Sequence, residues 1–182
     1  VIARARDRMA IFLNASSPDC ISFGANMTTL NYFLSKALVR IFKAGDEVVI
    51  TELDHEANRA PWLAMQNNGI VIREVKLKRD GALDYEDFKS KITVKTKLVA
   101  MGMASNALGT VNDFRAVRKW TNEIGAYLLL DAVHYAPHFT IDVQDIDVDF
   151  LLCSAYKFYG PHVGILYSKY GLLDKLPTDC LR

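Results

Sequence analysis

Ser154-Ala155-Tyr156-Lys157-Phe158-Tyr159-Gly160-Pro161-His162-Val163-Gly164 sets one lysine among small and aromatic residues, and the apolar run Gly164-Ile165-Leu166-Tyr167 leads away from it. Just before it stands Phe150-Leu151-Leu152, and further upstream Tyr127-Leu128-Leu129-Leu130-Asp131, three leucines closed by a carboxylate. Apolar runs this short read as strands buried on both faces, the kind found in parallel sheets covered by helices.

The same alternation extends outward in both directions. Cys20-Ile21-Ser22-Phe23 is a short apolar run ending at Gly24, and from Asn26 the residues Met27, Leu30, Leu34, Ala37, Leu38 and Ile41 recur at helical spacing until Ala44-Gly45-Asp46. Glu47 to Ile50 reads as a strand. Residues 57–68 read as a helix, with Pro61 tolerable only in its first turn. Ile70 to Leu77 alternates and is β-branched, so it is a strand, followed by the turn Lys78-Arg79-Asp80-Gly81 and a short helix from Asp84 through Phe88. Leu98 to Met101 is a further buried strand, and Asn112 or Asp113 caps a helix that runs to Glu123 and closes at Gly125. Strands alternating with helices predict an α/β fold, a three-layer α/β/α arrangement around a mostly parallel mixed sheet.

In such sheets ligands bind beyond the carboxyl ends of the strands. The polar residues cluster in sequence at those ends: Ala25-Asn26, His55, Ser105-Asn106, Asp131 and Ser154 to Lys157. Gly24-Ala25-Asn26 opening a helix is either a phosphate site, through free amides and the helix dipole, or an ordinary turn with an asparagine cap. His55 can stack on an aromatic ring or shuttle a proton, or it is a plain loop histidine. Asn106 can donate to a phenolate oxygen or simply form a turn. Asp131, at the end of a buried strand, needs a partner, and His134 follows it closely. Lys157, with Tyr156, Phe158, Tyr159 and Pro161 around it, is expected in a partly dry pocket that lowers its pKa and readies the amine as a nucleophile. A lysine able to form a Schiff base, with an aspartate able to pair with a pyridinium nitrogen, is the pairing that pyridoxal phosphate requires.

Composition narrows the classes further. The net charge of +1, with both signs interspersed, gives no nucleic-acid surface. No apolar run reaches the roughly 20 residues that span a bilayer, and the opening Val1-Ile2-Ala3-Arg4-Ala5-Arg6 is a charged helical pattern rather than a signal peptide. Cys20, Cys153 and Cys180 are widely spaced, odd in number and form no CxxC, which reads as reduced thiols in a cytoplasmic protein; Cys153 reads as a packed thiol. His55, His134, His138 and His162 have no metal-ligand spacing, so no metal site is expected. Without GxGxxG or GxxxxGK[ST], a nucleotide-binding domain is disfavoured. The sequence opens within a helical pattern and without Met, so a piece of a longer protein is expected.

Five motifs in order, Phe23-Gly24-Ala25-Asn26, Asp54-His55-Glu56-Ala57-Asn58-Arg59-Ala60-Pro61-Trp62, Ser105-Asn106-Ala107-Leu108-Gly109-Thr110, Asp131-Ala132-Val133-His134 and Ser154-Ala155-Tyr156-Lys157-Phe158-Tyr159-Gly160-Pro161, carry a resemblance over essentially the whole chain. The chain resembles the class V aminotransferase-like, fold-type I pyridoxal phosphate enzymes, in their cysteine desulfurase and selenocysteine lyase branch. The resemblance implies that residues 1–182 are the cofactor-binding large domain, with an N-terminal segment and a C-terminal small domain elsewhere. It implies that Lys157 carries the cofactor and moves protons at the substrate's α-carbon, that Asp131 pairs with the ring nitrogen and that His55 stacks on the ring. Asn106 and His134 would sit near the phenolic oxygen or the lysine. Ala25 and Asn26 amides, Ser154 and Tyr156 would hold the phosphate.

The resemblance further implies an amino-acid substrate, a homodimer whose partner supplies one phosphate contact, and a sulfur-acceptor protein. The family's persulfide-forming cysteine and carboxylate-binding arginine would lie beyond Arg182. The chain departs from desulfurases at Ala25-Asn26, where threonines are usual, at His134, where glutamine is usual, and at Tyr156, where histidine is usual. The expected activity is that of a desulfurase-like lyase, with a class V aminotransferase or epimerase as the enzymatic alternative, and a cofactor-binding or dimerisation module without turnover as the alternative of another class.

Overall fold

Among the described residues, side-chain alternation along each strand divides the core into two halves, one on either face of a seven-stranded sheet. The computed structural model describes residues 1–177; Cys180 lies outside the described residues. The strands are β1 (Ile21–Gly24), β2 (Glu47–Thr51), β3 (Val71–Val75), β4 (Thr96–Gly102), β5 (Tyr127–Asp131), β6 (Phe150–Ser154) and β7 (Gly164–Ser168). Their order in the sheet is β1-β7-β6-β5-β4-β2-β3. Pairs from β6 through to β3 are parallel, whereas β7 is antiparallel to both β6 and β1. The expected mostly parallel mixed sheet is therefore present.

Val49, Val99, Met101, Leu128, Leu130, Leu151 and Ile165 point to one face, where they meet α1 (Ile2–Leu13), α4 (Tyr85–Lys91), α5 (Phe114–Ile124) and α6 (Val143–Ile146) through Leu13, Phe88, Val117 and Val143. Val48, Ile50, Leu98, Ala100, Leu129 and Leu152 point to the other, against α2 (Met27–Leu38) and α3 (Ala60–Leu63) through Leu34, Leu38 and Trp62. Period-2 alternation fills both faces because the central strands are apolar at every position. This is the three-layer arrangement expected.

The helix expected over 57–68 is broken into three pieces: a 3-10 turn at Glu56–Asn58, the single turn of α3, and a 3-10 turn at Ala64–Asn68. Pro61 falls in the first turn of α3, where its missing N–H costs nothing, and its ring is what forces the restart. Buried amides tie these pieces to α2. Asn31 Nδ2 donates to the Ala57 carbonyl at 2.9 Å and to Asn58 Oδ1 at 3.3 Å, an oxygen that also accepts from Trp62 Nε1 within the segment.

Local capping closes the surface elements. Asp84 accepts from the Glu86 and Asp87 amides at 3.1 and 3.2 Å, and so starts α4. Asp84→Ala is expected to lower stability by about 1 kcal/mol, read as a lower urea midpoint with an unchanged slope.

Candidate active site

Because β7 reverses and β1 reverses again, the carboxyl ends of β1, β2, β4, β5 and β6 and the start of β7 share one edge of the sheet. Every polar residue singled out in the sequence sits at or just past this edge, with the exposed Asn106 furthest along its loop.

The corner between β1 and α2 is built by four constraints. Asn26 is the cap of α2, its Oδ1 accepting from the Thr29 amide at 2.8 Å. The fully buried Ser154 Oγ accepts from the Met27 amide at 3.2 Å, which joins the end of β6 to the first turn of α2. His162 Nδ1 donates to the Ala25 carbonyl at 3.0 Å, and its ring stacks on Tyr156 with centroids 4.5 Å apart and planes 10° apart. Gly164 lies against the Asn26 backbone so closely that an added Cβ would stand 2.3 Å from its carbonyl carbon. The amides of a helix's first turn have no carbonyl partners of their own, and the dipole places positive potential there, so this corner suits an anion.

The next part of the edge carries carboxyls. Asp131 is buried, and its Oδ1 accepts from the Val133 amide at 2.9 Å. Burial pushes its pKa up to about 6, against the pull of that amide and of His55. Asp54 accepts from the Gly102 amide, and Gly102 is the residue paired with Asp131 across β4 and β5. Burial first, and then the like charge of Asp131, push Asp54 up to about 7. Hydrogen bonding to the Gly102 amide and to Thr51, at the end of β2, acts against that rise.

A sign follows for the ligand-free protein. Both carboxyls hold protons, in the native state, that an unfolded chain with ordinary values near 3.8 releases. Stability is thus expected to fall as pH rises from about 4 to about 7, measured as urea midpoints at intervals across that window.

His55 caps the 3-10 turn at Glu56–Asn58, its Nδ1 accepting from the Ala57 amide at 3.0 Å. That bond places the proton of the neutral ring on Nε2 and leaves the ring exposed. His134 is half-buried. Burial, and then the charges of Lys157, His55 and His138, hold its pKa below the ordinary range. The edge thus brings Asp131, Asp54, His55, His134 and Lys157 into one electrostatic cluster.

One expectation at the site needs correction. Lys157 is exposed, not enclosed by its aromatic neighbours. It rides a 3-10 turn, Ala155–Phe158, which sends Phe158 down to stack on Phe12 at 5.3 Å and leaves Tyr159 fully exposed with a left-handed backbone. Its amine lies 5.9 Å from the Tyr156 ring centroid. Asn106 makes no side-chain hydrogen bond among the described residues; its turn is held instead by Ser105 Oγ, which accepts from the Ala107 and Leu108 amides at 3.2 and 3.1 Å. Cys153 is a packed thiol, pushed up to about 12 by burial, and Cys20 is buried as well. Asp54, His162 and Gly164 carried no assigned role in the sequence. A glycine directly before an apolar strand was the one available signal for Gly164.

Comparisons with known proteins agree with this layout. A family model described as aminotransferase class-V matches residues 1–180. A cysteine desulfurase of Pectobacterium atrosepticum is 35% identical over 175 residues, covering 94% of this chain and 43% of its own length. A probable cysteine desulfurase of Synechocystis is 37% identical over 175 residues, with 94% and 42% covered. Among solved structures, the cysteine desulfurase CsdA of Escherichia coli superposes with a TM-score of 0.91 at 29% identity, over 96% of this chain and 45% of that one. The chain spans less than half the length of these relatives. No helix among the described residues is long and apolar enough to cross a membrane. With its sheet, its edge of polar residues and the match over nearly all of its length, the chain belongs to the aminotransferase class-V family.

Proposed function

We propose that residues 1–182 form the pyridoxal-phosphate-binding large domain of a cysteine desulfurase-like lyase that works in the cytoplasm as a homodimer and passes sulfur to an acceptor protein. The observation that carries this reading is one sheet edge that holds an anion-binding helix corner, a buried carboxyl, an exposed imidazole and an exposed lysine amine. The donor set fits the cofactor. The first turn of α2 with Ser154 would hold the phosphate, His55 would lie on the ring face, and Lys157 would supply the amine. Asp131 is a buried acid that resists ionisation, and a protonated ring nitrogen would supply the cation that makes its charged form favourable.

Pyridoxal phosphate supplies an aldehyde that an amine can capture and a ring that accepts electron density from the substrate's α-carbon. The protein's residues do the rest. With the group bound, Asp131 would hold the ring nitrogen protonated, His55 would orient the ring, and the Lys157 amine would take and return the proton at the substrate's α-carbon. Neither Cys20 nor Cys153 can attack a substrate sulfur, since both thiols are buried.

Incubating the full-length protein with pyridoxal phosphate, reducing with borohydride and mapping the modified peptide is expected to place the cofactor on Lys157. Cysteine is then expected to yield alanine and sulfide. A keto-acid product would favour an aminotransferase, and bound cofactor without product would favour a binding module.

A further inference from the structure

The carboxyl of Asp54 stands outside the roles assigned above, yet the fold makes room for it. Its Oδ1 accepts from the Gly102 amide, and an added Cβ on Gly102 would come within 2.7 Å of that same oxygen, so only glycine lets the carboxyl reach the strand end. Gly102 is the cross-strand partner of Asp131, so the two carboxyls flank one glycine. Asp54 Oδ2 is buried, and hydrogen bonding to Thr51 at the end of β2 favours the charged form less than burial and Asp131 oppose it. Asp131 from β5 acts on Asp54, and the rim histidine His55 acts on Asp131. No lysine or arginine is paired with either acid among the described residues.

A charged carboxylate left in this position would be a second anion beside the buried Asp131, with no cation paired to either, an arrangement that proteins resolve by keeping a proton on one acid. We propose that Asp54 is a positioning residue: it keeps a proton and acts through the Gly102 strand end and Asp131, making Asp131 the member of the pair that carries the charge when a cation binds. This inference rests on the cofactor reading, since the cation is the protonated ring nitrogen.

Two measurements on the full-length protein test it separately from that reading. In the cofactor-free protein, carboxyl carbon NMR across pH 4–9 is expected to show an aspartate titrating near neutrality. That signal is expected to vanish in Asp54→Asn and to move toward the ordinary range in Asp131→Asn, where the like charge is gone. In pyridoxal phosphate binding followed by absorbance, Asp54→Asn, whose amide is as neutral as the protonated acid, is expected to keep the parental acid limb, whereas Asp131→Asn is expected to lose it. Gly102→Ala, which displaces the same carboxyl from the strand end, is expected to move the neutral titration of Asp54 toward the ordinary range.

Persistence of the neutral titration in Asp54→Asn, or an acid limb moved by about 1 pH unit in that variant, overturns the proposal. A cofactor that fails to bind the parent protein overturns the functional reading instead, while the NMR titration still decides whether Asp54 holds the proton.

Discussion

Lys157→Ala is expected to abolish covalent capture of pyridoxal phosphate and to lower turnover of cysteine by about 10³–10⁴-fold, equivalent to about 4–5.5 kcal/mol in the barrier. The effect should be confined to chemistry. The side chain is exposed and its Nζ is only a loose neighbour of the Tyr156 ring, so stability is expected to change by less than about 0.5 kcal/mol. Peptide mapping after borohydride reduction separates the outcomes. Cofactor fixed to another lysine in Lys157→Ala, at parental turnover, would sink the assignment. Phe158→Ala serves as a contrast: it leaves the amine in place but removes the stack on Phe12, so it should lower stability before it alters capture.

Gly164→Ala should show the converse. The new methyl would stand 2.3 Å from the Asn26 carbonyl carbon and 2.5 Å from its oxygen, and neither atom can rotate away as a side chain could. Either β7 slides along β1 or the start of α2 is pushed off the sheet. We expect a loss of at least about 3 kcal/mol in urea unfolding, at the upper end of overpacking costs. Anion affinity at the corner, followed with inorganic phosphate, should fall as well, because Met27 would lose its place opposite Ser154. Unchanged stability with unchanged phosphate affinity would mean that this close approach relaxes without cost.

Much of the layered architecture was legible because the central strands leave no doubt about burial: Leu128, Leu129 and Leu130 can be accommodated only between two layers of helices. Direction was not legible. Nothing in Gly164-Ile165-Leu166-Tyr167 records that this strand runs against its neighbour, because period-2 alternation reads the same from either end. The helix over 57–68 failed for a local reason, since apolar spacing continued across Pro61 while the backbone could not.

At the site, the strand-end positions of His55, Asp131 and Ser154 followed from the α/β pattern, but the enclosure of Lys157 did not. Aromatic neighbours in sequence point in different directions on a 3-10 turn, and Phe158 alone goes inward. The closeness of Asp54 to Asp131 was invisible because it arises from Gly102, 48 residues away from Asp54.

The pairing of β1 with β7 has a consequence for how the protein is made. Among the described residues β1 ends the sheet and pairs with β7 alone, and 146 residues separate Ile21 from its partner Tyr167. At about 5–20 residues per second of synthesis, β1 waits about 7–30 s on the ribosome before its partner exists. During that interval Ile21 and Phe23 have no strand to pair with, and the corner that α2 would offer to an anion lacks Ser154 and Gly164. The anion corner therefore cannot close on a nascent chain until β7 has been made, 146 residues after the strand that begins it.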